Sequence, residues 1–368
     1  MKQELPVTCD ILFLIFSHNK QGDVTRLFEV GTFQAASTRL QIQPALRTAQ
    51  ALGLKAIVVS ISSNESDLLD ELPQPKICVI GKLSSSVPGF QSKIAMANLA
   101  LISRIKLKGA KIHLLYTDNH AARAGSTGLM YKDFLAISDS IIVSTKSMKK
   151  GLEATNFHHS PKITVIEDPW QVRQLLPFQV LEHGKPCNLL WFGQAANIKY
   201  LARTLSSIDF EIFSRRSYNL TILTNHAGQS SFAKYCDELN FNDRLNKLKI
   251  NEVIWSSDQP AQLEAELMKT HIVLLPSDVS DPLKKFSSHN RLVDSVRGGC
   301  ITVASPLESY KELSKICLIG DDFTYLLLGA IEHYDRLSRK YSKYRDSILN
   351  IFSPQNNVQN WKNLFMHF

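Results

Sequence analysis

The stretch KKFSSHNRLVDSVRGGCITVASPLESYKEL, residues 284–313, concentrates groups able to hold an anion. Ser287 and Ser288 are N-cap types for a helix over about 289–297. Gly298-Gly299 ends it, because glycine adopts the left-handed conformation past a helix end at little cost. A helix N-terminus offers unpaired N–H groups and the positive end of the helix dipole, which suits phosphate. Lys284, Lys285 and Arg291 add charge there, and Asn290 adds donors. Asp294 follows Arg291 by three residues and Asn290 by four, so the three share a face. A carboxylate beside a diphosphate site commonly holds ribose hydroxyls. The spacing predicts a nucleoside diphosphate, with phosphates at the helix start and ribose at Asp294. The plainer alternative is a capped surface helix with solvated charges.

A second group lies in the first half of the chain. In LLYTDNHAARAG an apolar run ends in Thr117-Asp118-Asn119-His120, where Asp118 or His120 could serve as general base on a hydroxyl. After the first apolar run comes SHNKQGDVTR. Gly22 there suits a tight loop that lets backbone approach a ligand, with His18, Asn19 and Lys20 as polar neighbours. Arg39 and Arg123 are candidate anion partners. Each of these also reads as an ordinary surface loop.

These residues need elements to place them. Continuous apolar runs at 11–16, 56–61, 77–80, 112–116, 141–143 and 163–166 alternate with helical patterns such as 37–52 and 91–107. Pro44 inside the first of these helices predicts a kink or a later start. Runs of this kind are strands buried on both faces, and their alternation with helices predicts a parallel sheet. The pattern lapses over 168–187, which carries three prolines and a glycine, and restarts with runs at 188–192, 220–223, 252–254, 272–275, 300–303 and 317–319. The fold class is therefore α/β, with two doubly wound Rossmann-like domains in series. The boundaries read from the sequence are a first domain over 1–175, a linker over 176–187, a second domain over 188–350 and a C-terminal helix over 351–368.

The bulk numbers agree with two domains, since 368 residues exceed one ordinary core. The net charge of +8 suits nucleotides, phosphosugars or other anionic partners without choosing among them. Six scattered cysteines form no C-x-x-C pair, which argues against a zinc or dithiol site and fits a reducing compartment. No run of about 18 apolar residues predicts a membrane-spanning helix.

The segment HNRLVDSVRGGCITVASPLESYKEL resembles the donor-nucleotide signature of glycosyltransferases with the GT-B fold, near glycosyltransferase family 4. ASTRLQIQPALRTAQALGLKAIVVS is similar to the first-helix segment of such enzymes, NLLWFGQAANIKYLARTL to the opening of their donor domain, and FSPQNNVQNWKNLF to their closing helix. The resemblance implies two domains facing each other across a cleft, with the C-terminal helix crossing back to the first. It implies transfer of a sugar from a nucleotide-sugar donor, bound by the second domain, to an acceptor bound by the first. By resemblance Asp294 takes the ribose position, Arg291 and Lys285 the phosphate positions, and Gly193 the glycine after the domain's first strand. His120 is the nearest match to a first-domain histidine that contacts the donor sugar. The family often has a glutamate eight residues before its ribose carboxylate, and here Phe286 stands at that position.

The expected chemistry is stabilisation of a departing diphosphate by a cationic helix start, with neither cofactor nor metal, since no D-x-D motif is present. The resemblance favours retention at the anomeric carbon. The expected acceptor is a glycan or lipid-linked molecule, for instance a precursor of a surface glycan or polysaccharide. No nucleic acid is expected as partner. The expected location is cytoplasmic, with at most peripheral membrane contact. EHYDRLSRKYSKYRDSILNIF reads best as a solvated basic helix with tyrosines packed inward. Two other functions share the fold: a GT-B-shaped nucleotide- or glycan-binding protein without turnover, and a nucleotide-sugar epimerase.

Overall fold

A computed structural model describes residues 8–16, 22–23, 38–61, 72–81, 91–155, 161–209, 216–239, 248–255 and 261–366. His18, Asn19 and Lys20 lie outside the described residues. The chain divides into two units: residues 1–169 with 286–288 and 354–368, and residues 170–285 with 289–353.

Unit 1 holds a seven-stranded sheet in the order β2-β3-β1-β4-β5-β6-β7. Its strands are β1 Thr8–Phe16, β2 Gly22–Asp23, β3 Ala56–Ile61, β4 Gln74–Ile80, β5 Lys111–Tyr116, β6 Ser140–Val143 and β7 Lys162–Val165. All pairings are parallel except β2 with β3. Each apolar run read from the sequence in this half is a strand, and its side chains fill two clusters, one on each sheet face. β2 was not anticipated. Two polar residues on a sheet edge carry no hydrophobic signal, so Gly22 lies in a strand, opposite Ser60, rather than in a loop.

Pro44 does mark a later helix start. The α-helix runs over Gln43–Ala51 with the proline in its first turn, behind a π turn at Thr38–Ile42. Proline tolerates that place because its missing N–H would have no partner there. The C-terminal helix Pro354–Met366 belongs to unit 1, as expected. Trp361, Leu364 and Phe365 complete one of its cores, and Phe365 meets Phe13 edge-on at 6.5 Å. Asn357 donates its amide to the Glu167 carbonyl at 2.8 Å.

Unit 2 holds a six-stranded parallel sheet in the order β10-β9-β8-β11-β12-β13. Its strands are β8 Cys187–Phe192, β9 Tyr218–Thr224, β10 Leu248–Ile254, β11 Ile272–Leu275, β12 Ile301–Ala304 and β13 Leu318–Ile319. They again coincide with the six apolar runs.

The Pro-rich segment is not a free linker over 176–187. Residues 170–187 belong to unit 2, and Val172 sits in its core. Arg297 fastens this segment: its guanidinium lies 3.6 Å from the Trp170 ring centroid and donates to the carbonyls of Val172 at 2.7 Å and Arg173 at 2.8 Å. Gly299, at φ 76°, lies where a Cβ would come within 2.2 Å of the Pro177 carbonyl, so only glycine fits. A proline count registers broken periodicity, and it does not register a strap held by polar contacts.

All six cysteines are buried and unbonded to one another. Burial pushes the thiols up, Cys9 to about 12 and Cys236 to about 11, so they behave as small hydrophobes. In the basic helix Tyr334–Leu349, Tyr334 and Tyr341 pack inward while Tyr344 is exposed. Among the described residues no helix is long and apolar enough to cross a membrane.

Candidate functional site

In unit 2 the strand order reverses direction between β8 and β11. The connections leaving the carboxyl ends of these two strands go to opposite sides, and the crevice between them is where open α/β sheets bind ligands. Gly193 follows β8 at this point. Its N–H donates to the Leu223 carbonyl at 3.1 Å, and its carbonyl accepts from the Thr224 hydroxyl at 2.8 Å. Thr224 fits because a Cβ on Gly228 would stand 2.1 Å from its Oγ1.

Arg291 reaches the same place. Its Nη1 lies 3.5 Å from the Phe192 carbonyl and would be 3.3 Å from a Cβ on Gly193. Lys284 donates from Nζ to Asn197 Oδ1 at 2.8 Å, in the first turn of the helix Ala195–Ser207. The structure thus gathers Gly193, Arg291 and Lys284 around the end of β8. Asn290 opens the helix Asn290–Arg297 and is half-buried. Lys285 is exposed, on the loop before it.

That loop is held by its own carboxylates. Asp281 accepts from the Leu283 N–H at 2.9 Å and from the Tyr200 hydroxyl at 3.2 Å. Burial, then the Asp281 charge, pushes the Tyr200 phenol up to about 12, so it stays a donor. Asp278 accepts from the Ser280 hydroxyl at 2.6 Å and its N–H at 2.9 Å, which holds the Asp278 carboxyl below its ordinary range. Ser305 Oγ ties the ends of β11 and β12 together, accepting from the Ser277 N–H at 2.9 Å and donating to its carbonyl at 3.1 Å. Asp278 and Asp281 precede the helix in a region that carries no regular periodicity, and Ser305 follows β12 at a strand end, so neither Asp281 nor the Ser305 tie has a sequence signal.

Two expectations at this helix are corrected. The N-cap position falls to neither Ser287 nor Ser288. His289 stands at the N-cap with helical dihedrals and supplies no side-chain cap. Ser288 instead donates its hydroxyl to Asp168 at 2.6 Å within unit 1. The second concerns Asp294, which is fully buried. Its Oδ1 accepts from the N–H groups of Gln171 at 2.8 Å and Val172 at 3.2 Å, and its Oδ2 from the Gln171 amide at 3.0 Å. In this structure the carboxylate holds the strap, away from the open end of the helix.

In unit 1 the strand order reverses between β1 and β4. Gly81 follows β4 there, with its N–H 2.8 Å from the Leu14 carbonyl. A Cβ would meet that carbonyl and Ile15 at 3.1 Å. Sequence reading did not single it out, although a glycine directly after a buried strand was the available signal.

One strand away, β5 ends in the predicted Asp118 and His120. The Tyr116 hydroxyl donates to Asn119 Oδ1 at 2.8 Å and accepts from the Ala121 N–H at 3.0 Å, which shapes the turn. His120 is 2% exposed and stacks on Tyr131 with ring centroids 4.6 Å apart. Its Nε2 lies 3.6 Å from Asp118 Oδ2, and the Asp118 side chain is 39% exposed. Asp118 is thus the member of the pair open to solvent, with His120 behind it.

Arg39 lies half-buried in the π turn. Phe286, where the resembled family has its first glutamate, belongs to unit 1 and packs on Gly151, whose added Cβ would sit 2.8 Å from the ring.

No protein-family model matches the chain, and no curated protein matches it in sequence. Solved structures do. A trehalose-phosphate synthase (UDP-forming) from Burkholderia vietnamiensis superposes with a TM-score of 0.58 at 9% identity, over 98% of this chain and 99% of the other. A glycosyltransferase from Rickettsia africae gives 0.56 at 12% identity, over 98% of both chains. TarM of S. aureus, solved with fondaparinux, a GlcNAc-glycerol and UDP, gives 0.52 at 12% identity over 78% of this chain. The chain spans only 55% of the length of TarM. At this identity the likeness shows the fold alone, and the fold is GT-B.

Proposed function

We propose that this chain is a glycosyltransferase that takes a sugar from a nucleotide-sugar donor and passes it to a hydroxylated acceptor. The observation that carries this reading is the convergence of Gly193, Arg291 and Lys284 on the β8–β11 switch point of unit 2, on a fold shared with glycosyltransferases. A tight glycine lets backbone approach a ligand, and two cations beside an uncapped helix start favour an anion. The donor diphosphate binds there, with Asn290 and the exposed Lys285 at its edge.

Breaking the glycosidic bond places negative charge on the leaving diphosphate. Preorganised cations and helix N–H groups stabilise that charge as it develops, so the reaction proceeds without a metal or other cofactor. In unit 1 we assign Asp118 to the acceptor hydroxyl, with His120 orienting it from behind and Tyr131 fixing the imidazole plane. Arg39 is assigned to an acceptor anion and Gly22 to the adjoining backbone. Retention at the anomeric carbon and a glycan or lipid-linked acceptor, reached in the cytoplasm or at a membrane surface, belong to the same reading.

The test is a thermal-shift screen of the purified chain against nucleoside diphosphates and nucleotide sugars. Binding to the native state raises the melting temperature through linkage. A shift of several degrees with one nucleotide, abolished in Arg291→Met, supports the donor site. The matching donor should then release nucleoside diphosphate only when an acceptor is added. Release without acceptor would indicate an epimerase or hydrolase, and binding without release under any acceptor would indicate a binding protein. No shift with any nucleotide would overturn the assignment.

A further inference from the structure

Parallel strands between two helical layers are apolar on both faces. One face of the unit 2 sheet departs from this rule at one end. The strand registers pair Asn188 with Asn219 and Asn219 with Lys249, which forms one row across β8, β9 and β10. The next row is Leu190, Thr221 and Asn251, and the third is Phe192, Leu223 and Val253. Residues paired in parallel register point to the same face. That face is therefore polar at its amino-terminal end and turns apolar within two rows.

The polar rows floor a cavity of about 420 Å³, walled by Glu266, Lys269 and Thr270 at the end of the helix Gln262–Leu267. It lies at the amino ends of the strands, opposite the switch point proposed for the nucleotide.

The cavity is built and not merely open. Asn219 donates its amide to Asn188 Oδ1 at 2.9 Å, and Asn188 donates its own to the Lys269 carbonyl at 2.8 Å. The backbone N–H of Asn188 donates to His271 Nδ1 at 2.9 Å, which fixes the start of β8. Burial holds the His271 imidazole below its ordinary pKa, consistent with the neutral acceptor that this bond requires. The chain of amides leaves Asn219 Oδ1 with the Thr221 hydroxyl and the Asn251 amide as donors and acceptors side by side. The charge is nearly balanced, since Lys269 pairs with Glu266 at 3.0 Å and leaves Lys249 as the one further cation on the lining.

We infer that this cavity is a second ligand site, for a neutral saccharide. Amides and a hydroxyl in fixed spacing match vicinal hydroxyl groups, each of which both donates and accepts. The lining nets one positive charge, on the exposed Lys249, and the rest of its polar side chains are neutral once Lys269 pairs with Glu266. The volume falls at the lower end of ligand pockets, which run from about 300 to 1,000 Å³. The site stands independently of the transferase reading, since none of its residues lies in the nucleotide or Asp118 groups.

The test is saturation-transfer difference NMR on the full chain with glucose, galactose, N-acetylglucosamine and their disaccharides, at millimolar concentration and without nucleotide. At least one sugar should show transfer. Thr221→Val with Asn251→Leu should weaken it ten-fold or more, while Arg291→Met leaves it unchanged. Asn251 and Lys249 are exposed, so Asn251→Leu and Lys249→Met each provide a variant that leaves the core intact. The site would be overturned by no transfer from any sugar, by transfer indifferent to the pocket variants, or by transfer lost in Arg291→Met instead. Preference for glucose 6-phosphate over glucose, lost in Lys249→Met, would overturn the neutral-ligand assignment.

Discussion

Asp294 receives the backbone N–H of Gln171 on one carboxylate oxygen at 2.8 Å and the side-chain amide of the same residue on the other at 3.0 Å. A glutamine so gripped ties the strap to the helix that carries Asn290 and Arg291. Asp294→Ala removes an acceptor from three donors, two of them backbone N–H groups. Each donor left buried and unpaired costs about 1–3 kcal/mol. The expected outcome in a urea melt is a loss of roughly 3 kcal/mol or more, with Asp294→Asn recovering part of it. Loss of nucleotide affinity in a variant of unchanged stability would restore the ribose assignment to this carboxylate.

Lys284 and Lys285 are adjacent in sequence and differ in placement. Lys284 is half-buried and fixed on Asn197, and Lys285 is exposed. Lys284→Ala is expected to weaken nucleoside diphosphate binding by about 1.5–3 kcal/mol, the range for a hydrogen bond to a charged group. Lys285→Ala should cost less than about 1 kcal/mol, and its effect should fade with added salt, since exposed charges are screened. Isothermal titration at 50 and 300 mM salt checks both, and equal losses in the two variants would refute the distinction.

The fold was far more legible than the site. Twelve apolar runs gave twelve strands: burial on both faces leaves an unbroken signal in central strands such as β11 and β12, while the edge strand β10 shows it over only part of its length. The helix at 290 was placed to within a residue, since Gly298-Gly299 must stop it. The function of Asp294 was not legible. Its partners at 171 and 172 lie more than 120 residues away, and nothing in either segment announces the pairing. Ser288 was misread because the N-cap falls one residue later, at His289, and its hydroxyl donates to Asp168, a partner 120 residues away that spacing does not encode. Asp118 and His120 were located by their place at a strand end. Which of the two faces solvent depended on Tyr131, thirteen residues beyond Asp118 and eleven beyond His120, whose stacking on the imidazole spacing does not encode.

Gly128 tests the turn that carries His120. A Cβ there would lie 1.8 Å from the Arg123 carbonyl oxygen. That oxygen is backbone and cannot swing aside as a side chain would, so the segment 121–125 must move. Gly128→Ala is expected to cost about 1–3 kcal/mol, the usual range for overpacking. It should lower turnover while leaving nucleotide affinity unchanged. A melting temperature within one degree of the parent would show that the turn yields freely.

His113 gives the chain a built-in sensitivity to acid. It is 1% exposed in the core beside Ser140, whose hydroxyl it meets through Nδ1. Burial, the largest cause, depresses its pKa from 6.5 to about 4, against a smaller opposing pull from the Asp139 charge. The unfolded chain takes up this proton near pH 6.5 and the folded chain does not until about pH 4. Between those values the unfolded state binds more protons, so stability falls as pH falls. The contribution is present in full above pH 6.5 and amounts to on the order of 3 kcal/mol lost on reaching pH 4. His113→Gln removes the titrating group, so its unfolding free energy should fall less steeply over this window. Parallel curves for the two proteins between pH 6.5 and 4 would mean that His113 does not carry the acid sensitivity.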